Sequence, residues 1–447
     1  MHLSSAPRPV GLAAIVLLAV ALVLAPVHAP PAAADSVIGT ITVGVGPYGV
    51  AVSPDETKVY ITNVDDDTLS VLNIATSVVT TISAGAGPFD VAFSPDGLKA
   101  FVTNFTGNTV SVIDVATDTV TATIPVSATP YRVAVSPDGS KAYVSHFTAG
   151  GTVDVIDVAT DFVTSTIPVG DWLGDVAFSP GGQLAYVAGA GGLYVIDVTA
   201  GSLVGAVALP DITGIVFSPD GTVAYLSDIA GTSLLVFDVV SQTVTNTIPV
   251  GSAPRGVDVS PDGTKVYVAN TGASTVSVID TGTGTVLATI TVGLNPIGVA
   301  FSPSGTTAFT TNSAGNTVSV IAVDQLAVLV PQTPVPPATV GSSYSFATAV
   351  SVGTPAAAFS ISVGALPAGL AINPVSGVIS GVPTVAGVFA FTVTATNGAG
   401  DASDDYEITV AAALAATGVS IEPLLVIAGV LLLAGALALA LRRRTAS

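Results

Sequence analysis

The chain has 447 residues, half of them hydrophobic, and it contains no cysteine. It carries 30 acidic residues against 10 basic ones, which gives a formal net charge of −20. Because affinity for nucleic acid depends on Lys and Arg neutralising phosphates, this balance argues against a DNA- or RNA-binding protein. Without cysteine there are no disulfides, so packing and backbone pairing alone must stabilise the fold.

The first 34 residues have the pattern of a secretory signal peptide. Arg8 supplies a positive start, residues 10–24 form an apolar core, and small residues end at Ala34, directly before Asp35. Such a pattern predicts export and cleavage after Ala34. The alternative is a retained membrane anchor, for which the apolar run is short.

A turn of the Ser-Pro-Asp-Gly type recurs every 39 to 43 residues along the next part of the chain. Its seven copies begin at Ser53, Ser94, Ser136, Ser179, Ser218, Ser260 and Ser302. Pro presets φ, Asp bonds its own backbone and Gly takes the left-handed position, so each copy closes a hairpin. In the second copy, runs rich in Val, Ile, Thr and aromatics predict strands over residues 91–94, 99–103, 109–115 and 119–125. Four antiparallel strands at this period are typical of a β-propeller blade.

The two ends of the repeat array complement each other. The seventh copy stops after three strands, whereas residues 37–44 (VIGTITVG) closely match residues 286–293 (VLATITVG) of the sixth copy. We therefore expect the N-terminal strand to complete the last blade and to close the ring, which leaves no open sheet edge. The predicted fold is all-β, with a closed seven-bladed β-propeller over residues 35–324.

The segments VYITN, FVTN and YVAN, each followed by a TVSVID-like run, resemble the YVTN-family β-propeller repeats of bacterial and archaeal surface proteins. The resemblance recurs in every blade. The fourth blade departs most, since Gly181-Gly182 replaces Asp-Gly and the loop at residues 189–192 is short.

A second domain is predicted beyond the ring. Residues 325–338 are rich in Pro and Val and suggest a stiff linker. Residues 339–412 lack the Ser-Pro-Asp-Gly turn, and their alternating short strands suit a small β-sandwich. The motifs LPAGL and ISGVPT resemble the immunoglobulin-like modules of bacterial surface proteins, which implies a stalk.

The C-terminal tail, residues 413–447, combines a five-residue motif, an apolar span and a basic end. The motif runs from Leu414 to Gly418, and residues 424–441 are apolar and followed by three arginines. The apolar run is just long enough for a transmembrane helix. The order resembles a sortase cell-wall sorting signal of the LAxTG variant of high-GC Gram-positive bacteria, which implies cleavage between Thr417 and Gly418. The alternative is a plain C-terminal membrane anchor.

Candidate ligand-binding residues lie where the innermost strands begin, which is where propellers usually bind ligands. Aligning the copies on their Ser-Pro turns brings two groups of side chains to this channel mouth: Tyr48, Phe89, Tyr131 and Arg255 in one ring, and Asp90, Arg132 and Asp175 in the next. Aromatic faces with alternating charge suit a sugar or a peptide side chain. The alternative is a structural ion pair with aromatics that pack the blade tops. We expect Asp258 to pair with Arg255 in the same way.

Signs of catalysis or of a metal site are weak. Asp65-Asp66-Asp67 suits either calcium or a solvated acidic loop, and the second interpretation is preferred because the turn Gly of calcium loops is absent. His146 is the only histidine after residue 34 and is expected on an exposed loop. With no cysteine and no nucleophile-elbow motif, no catalytic residue, cofactor or metal is predicted.

The leading hypothesis is a non-enzymatic surface protein that binds an extracellular glycan or protein and is anchored to the cell wall or membrane. A second hypothesis is an extracellular metal-assisted hydrolase, since seven-bladed propellers of similar repeat type include lactonases and dehydrogenase subunits. It would use Asp90, Asp175 and Asp258 at the mouth. A third is a purely structural envelope component.

Overall fold

A computed structural model describes residues 35–330, 334–354, 356–397 and 400–413 of the chain. The predicted signal peptide with Ala34, the sorting motif with Leu414, Thr417 and Gly418, and the transmembrane helix predicted over residues 424–441 lie outside these residues. Over the part of the chain that is described, no helix has both the length and the apolar character needed to cross a membrane.

Seven antiparallel sheets of four strands each form the first unit of the chain. The innermost strands are β2 (Pro47–Val52), β6 (Pro88–Phe93), β10 (Pro130–Val135), β14 (Val176–Phe178), β18 (Ile212–Phe217), β22 (Pro254–Val259) and β26 (Pro296–Phe301). The second strands are β3 (Lys58–Asn63), β7 (Lys99–Asn104), β11 (Lys141–His146), β15 (Leu184–Gly189), β19 (Val223–Asp228), β23 (Lys265–Asn270) and β27 (Thr307–Asn312).

The outer half of each sheet follows the same order. The third strands are β4 (Thr68–Asn73), β8 (Thr109–Asp114), β12 (Gly151–Asp157), β16 (Gly192–Asp197), β20 (Ser233–Asp238), β24 (Thr275–Asp280) and β28 (Thr317–Ala322). The fourth strands are β1 (Ser36–Thr42), β5 (Val79–Ser83), β9 (Thr119–Pro125), β13 (Phe162–Gly170), β17 (Ser202–Ala208), β21 (Thr243–Pro249) and β25 (Thr285–Thr291). One 3-10 turn, Ser313–Gly315, precedes β28.

The strand from the start of the array closes the ring, as predicted. β1 pairs antiparallel with β28, and the sheet order is β1-β28-β27-β26. Each innermost strand contacts the innermost strand of the next sheet, and β26 contacts β2. Seven sheets therefore surround one axis without a gap.

The recurrent turns have the predicted geometry. Gly97 takes the left-handed conformation at φ 71°, and the Ser94 hydroxyl donates to Asp96 at 2.6 Å. In the fourth blade Gly182 keeps the same conformation at φ 73°, so the turn survives the loss of Asp. In the first blade Glu56 takes this position at φ 57°.

In each of the seven blades, the second strand carries a buried aromatic residue at the same position. They are Tyr60, Phe101, Tyr143, Tyr186, Tyr225, Tyr267 and Phe309, all buried. Each packs in an apolar cluster with small and β-branched residues, as Tyr60 does with Val91 and Val102 of the next blade. Since fully burying a large apolar side chain contributes about 1.5–3 kcal/mol, these layers stabilise the ring without disulfides.

The second unit is a small β-sandwich. Its strands are β29 (Gln325–Val330), β30 (Ala338–Thr339), β31 (Tyr344–Ala347), β32 (Ala349–Thr354), β33 (Ala358–Gly364), β34 (Leu370–Ile372), β35 (Val378–Gly381), β36 (Gly387–Asn397) and β37 (Gly400–Ala411). They form sheets of order β30-β37-β36-β33, β31-β35-β34 and β29-β32. Phe346, Ile379, Val393 and Ile408 from different sheets meet in one core. The structure differs from the predicted linker over residues 325–338, because β29 pairs with β32.

Candidate functional site

Irregular pairing in the innermost strands positions the residues at the channel mouth. The register between β6 and β7 shifts between Pro88 and Asp90, and that between β10 and β11 shifts between Pro130 and Val133. Such bulges re-aim side chains and often lie next to functional sites. Here they lie where Phe89, Asp90, Tyr131 and Arg132 leave the strand.

A hydroxyl from the second strand stabilises each of these bulges and joins neighbouring blades. Thr103 accepts the Asp90 amide at 3.0 Å and donates to the Tyr131 carbonyl of the next blade at 3.0 Å. The same donation to the next blade is made by Thr62 to Phe89, Ser145 to Gly174, Ser227 to Arg255 and Thr311 to Tyr48. The last of these links the seventh blade to the first.

Six aromatic side chains form a continuous arc around the mouth from the first blade to the fourth. We call Tyr48, Phe89, Phe105, Tyr131, Phe147 and Trp172 the aromatic arc. Ring centroids are 3.8 Å apart for Tyr48 and Phe89, 4.4 Å for Phe89 and Tyr131, and 5.0 Å for Tyr131 and Phe147. Phe147 and Trp172 follow at 5.2 Å. Trp172 is 48% exposed and Phe147 38%, so the arc presents aromatic surface to solvent.

Arg132 lies in the centre of the arc. Its Nη1 donates to Asp90 Oδ1 at 3.1 Å, and its Cζ lies 5.3 Å from the centroid of Tyr48 and 5.6 Å from that of Tyr131. Asp90 also accepts the Val133 amide through Oδ2. Although burial opposes the charge, Asp90 and Asp175 raise the pKa of Arg132. The ion pair of Asp90 with Arg132, which the sequence offered as the alternative to ligand binding, is present, and the guanidinium also makes cation–π contacts with the rings.

Arg255 reaches across the channel to the first blade. Its Nη1 donates to the Tyr48 hydroxyl at 3.1 Å, and that hydroxyl lies 3.1 Å from the Tyr131 hydroxyl. The expectation that Arg255 pairs with Asp258 is wrong. Asp258 instead accepts the Val259 and Phe301 amides, at 2.9 and 2.8 Å.

Asp175 and Asp258 line the channel without an ion-pair partner among the described residues. Asp175 accepts the Val176 amide at 3.0 Å and the Ile215 amide of the next blade at 3.1 Å. Burial, opposed by Arg132, raises the pKa of Asp175 to about 6. Burial also raises the pKa of Asp258 to about 6, against its two backbone hydrogen bonds. Both carboxylates link adjacent blades.

A pocket opens beside the exposed end of the aromatic arc. It has a volume of about 310 Å³ and is lined by Tyr131, Phe147, Trp172, Gly174, Ala190, Asp211, Ile212, Thr213 and Ile229. Gly174 stands at the repeat position that Tyr131 fills in the third blade. The connection between β15 and β16 has only two residues, whereas the one between β7 and β8 has four.

The structure thus brings Tyr48, Phe89, Asp90, Tyr131 and Arg132 into one cluster, with Arg255 attached through Tyr48. Sequence reasoning missed Phe105, Phe147 and Trp172, which follow strands instead of beginning them. A usable signal was present, because Trp172 is the only tryptophan of the chain and stands four residues before the regular part of β14.

The sequence led us to expect His146 on an exposed loop, and this expectation is wrong. His146 is the last residue of β11 and is fully buried. Its Nε2 lies 3.1 Å from Asp154 Oδ2, and its Nδ1 lies 3.1 Å from the Ala128 carbonyl. Burial alone would raise the pKa of Asp154, but His146, the Ser127 amide and Thr166 lower it to about 2. The pair is closed to substrate.

Carboxylates of the acidic loop in the first blade, Asp65-Asp66-Asp67, accept backbone amides from other segments. Asp66 accepts the Val45 amide at 2.6 Å, and Asp67 accepts the Gly87 amide of the next blade at 2.7 Å. Within the described ranges, no three His, Asp or Glu side chains come together as a metal site.

Comparisons with known proteins agree with this architecture. The family model described as "Lactonase, 7-bladed beta-propeller" matches residues 206–291, and the one described as "Putative Ig domain" matches residues 326–411. The fold is a seven-bladed β-propeller with an immunoglobulin-like domain. No curated protein matches the chain.

Many solved structures share the propeller fold. One is the hydrazine synthase of Kuenenia stuttgartiensis, at 22% identity and a TM-score of 0.58, over 63% of this chain and 97% of that chain. At this identity the likeness concerns the fold alone. The resemblance to YVTN repeats and the sorting signal stay predictions.

Proposed function

We propose that this protein is exported, is held at the cell surface and binds an extracellular glycan or protein through its channel mouth without catalysis. The observation that carries the proposal is the aromatic arc with its half-exposed end, Phe147 and Trp172, beside an open pocket. Exposed aromatic faces provide large contact area at little conformational cost, which is typical of binding surfaces.

The carboxylates at the mouth support binding over catalysis. Asp90, Asp175 and Asp258 each accept a backbone amide of the next blade, so each connects two adjacent blades of the ring. Asp90 is also neutralised by Arg132. A metal would need several carboxylates with free lone pairs converging on one point, and these three do not offer that.

Surface display rests on the two ends of the sequence. The pattern before Asp35 predicts export, and the motif from Leu414 to Gly418 with the apolar run and arginines predicts a sortase signal or a membrane anchor. Mass spectrometry of the protein from cells should find Asp35 at the N-terminus. If sortase acts, Thr417→Ala should move the protein from the wall to the membrane fraction.

Binding is tested with the full-length protein on glycan and protein arrays. We expect saturable signals that Trp172→Ala reduces at least tenfold, whereas Phe162→Ala leaves them unchanged. Phe162 is a matched control, because it is 70% exposed on the outermost strand of the third blade. Arrays without any ligand, together with normal adhesion of a deletion strain, would instead favour a purely structural envelope component.

A metal-assisted hydrolase is the second candidate, favoured by the match of residues 206–291 to the lactonase propeller family. Metal analysis and a lactone-hydrolysis assay distinguish the two candidates. A stoichiometric divalent metal, with turnover that Asp175→Ala abolishes, would establish the enzyme and overturn our proposal.

A further inference from the structure

We propose that the pocket beside Trp172 binds a quaternary ammonium group, such as the trimethylammonium group of a choline ester. This inference rests on the proposed function, because it names the chemistry of the ligand at the same mouth. Three observations carry it: the aromatic lining, a half-exposed tryptophan, and the combination of one carboxylate with an otherwise apolar lining.

Three aromatic side chains, Tyr131, Phe147 and Trp172, line the pocket. The rings of Tyr131 and Phe147 are stacked on each other, at 26° and 5.0 Å. The Trp172 ring lies 5.2 Å from Phe147 at 59°. Because the face of an aromatic ring is negative, such a lining attracts a cation.

Trp172 differs from its counterparts in the other blades by its side chain. Its φ of 51° is shared by the repeat, since the same position has φ 67° at Gly46, 56° at Thr129 and 51° at Ala253. The indole, in contrast, is found here only in the fourth blade. It is 48% exposed and lines the pocket, so its aromatic surface is available to a ligand.

The polar groups of the lining suit a cation without N–H donors. Asp211 is exposed at the rim, and in the described part of the chain no group forms a hydrogen bond or ion pair with its carboxylate. The Thr213 hydroxyl already contacts Ser227 and the Pro254 carbonyl. The remaining lining, which includes Ile212 and Ile229, is apolar.

This lining separates quaternary ammonium from other ligands. A sugar needs several hydrogen-bonding partners for its hydroxyls, and a primary ammonium needs acceptors for three N–H groups. A trimethylammonium group needs neither. It gains from aromatic faces and one nearby negative charge.

The single tryptophan provides the measurement. Choline is titrated into the full-length protein while Trp172 fluorescence is recorded, with 3,3-dimethyl-1-butanol as the neutral analogue of equal shape and ethanolamine as the primary amine. We expect saturable change with choline and at least about tenfold weaker binding of both analogues. Equal affinity for the neutral analogue, or no saturable change with choline, would overturn the inference.

Variants then assign the site. Phe147→Ala and Asp211→Asn should each weaken choline binding several-fold by calorimetry, and Asp211→Asn should leave binding of the neutral analogue unchanged. Phe162→Ala should have no effect on either. All three positions are exposed, so thermal unfolding should be unaltered and confirms that the variants fold.

Failure of this inference and failure of the proposed function are distinguishable. If choline does not bind but array signals are still lost in Trp172→Ala, the mouth binds another ligand class and only the inference falls. If neither choline nor any array component binds, both fall.

Discussion

At the scale of single residues, the asparagine that ends the second strand explains part of the repeat. Asn104 Nδ2 donates to the Thr109 and Ser111 hydroxyls, both at 2.9 Å, and so fixes the hairpin between β7 and β8. Asn63, Asn270 and Asn312 make the same pair of bonds in their blades. All four are fully buried, where a hydrogen bond is worth most.

The third blade replaces this pair of hydrogen bonds with a contact between a histidine and a carboxylate. His146 stands at the asparagine position, and Asp154 stands at the position of Ser111. His146 and Asp154 are eight residues apart, whereas Asn104 and Ser111 are seven apart. The two exchanged side chains still contact each other and so connect the two strands of the hairpin. Asp154 additionally accepts the Ser127 amide at 2.7 Å and the Thr166 hydroxyl at 2.6 Å, so it holds the fourth strand as well.

Asp154→Asn should destabilise the propeller by about 2 kcal/mol near neutral pH, because the folded state lowers the pKa of this carboxyl from 3.8 to about 2. A carboxyl whose pKa is lower in the folded state stabilises the fold at pH values above its pKa in the unfolded state. This stabilisation is lost as the pH falls through the pKa of the folded state. The difference between wild type and variant should therefore be full above pH 4 and shrink towards pH 2. Chemical unfolding at several pH values measures it.

The matched control is Asp65→Asn, which removes an exposed loop carboxylate. It should change the unfolding free energy by no more than about 0.5 kcal/mol at any of these pH values. A pH-independent difference for Asp154→Asn would show that geometry, and not the charge, carries the interaction.

The sequence could have revealed this pair, whereas other side chains at the mouth were beyond it. Aligning the copies places His146 on the asparagines and Asp154 on the serines, and both departures fall in the same blade. Arg255 gave no such signal, since its partner Tyr48 lies 207 residues away and meets it only across the closed channel. The ring positions themselves were predictable from spacing, because the repeat fixes which residue opens each innermost strand.

At the scale of elements, the residue before β1 fastens the ring. In the second blade, Asp118 precedes the fourth strand and accepts Lys58 Nζ at 2.9 Å and the Tyr60 hydroxyl. In the seventh blade Asp35 takes this place from the other end of the sequence. It accepts Lys265 Nζ at 2.7 Å, the Tyr267 hydroxyl at 2.7 Å and the Asp324 amide at 2.6 Å. Predicted cleavage after Ala34 would leave this residue first in the chain.

Asp35→Ala should cost about 3 kcal/mol of unfolding free energy, because the Asp35 side chain is only 3% exposed and its loss leaves Lys265 buried without its ion-pair partner. Asp118→Ala removes equivalent contacts at a site that is 26% exposed and should cost about 1 kcal/mol. Chemical denaturation of the two variants provides the comparison. Equal losses would mean that Asp35 does not act as a closing contact.

Strand boundaries show where sequence patterns reach their limit. The outer strand predicted over residues 119–125 agrees with β9, whereas the innermost strand was predicted from residue 91 and begins at Pro88. The difference is the bulge at Asp90, which the Thr103 hydroxyl stabilises across strands. Alternation of apolar and polar residues breaks at a bulge, so periodicity alone places the start of the strand too late.

At the scale of the whole molecule, closure of the ring stabilises a chain that has no cysteine and therefore no disulfides. Two kinds of contact seal the same junction. On the outside, β1 pairs with β28 along six residue pairs, from Ser36 with Ala322 to Thr42 with Thr317. On the inside, Thr311 donates to the Tyr48 carbonyl at 2.8 Å. Loss of either layer would leave the other to hold the first and seventh blades together.

A chain that begins at Gly44 should therefore lose far more than one strand. Without β1, the β28 edge exposes unpaired N–H and C=O groups and uncovers the apolar cluster that contains Ile41, Phe309 and Val318. We expect the shortened chain to unfold at lower temperature and to associate through this edge, which light scattering after size exclusion detects as dimers or larger species. A chain that begins at Asp35 is the control and should stay monomeric by the same measurement. If the shortened chain is monomeric and equally stable, the inner contacts between β26 and β2 suffice to close the ring, and the N-terminal strand is not what holds it.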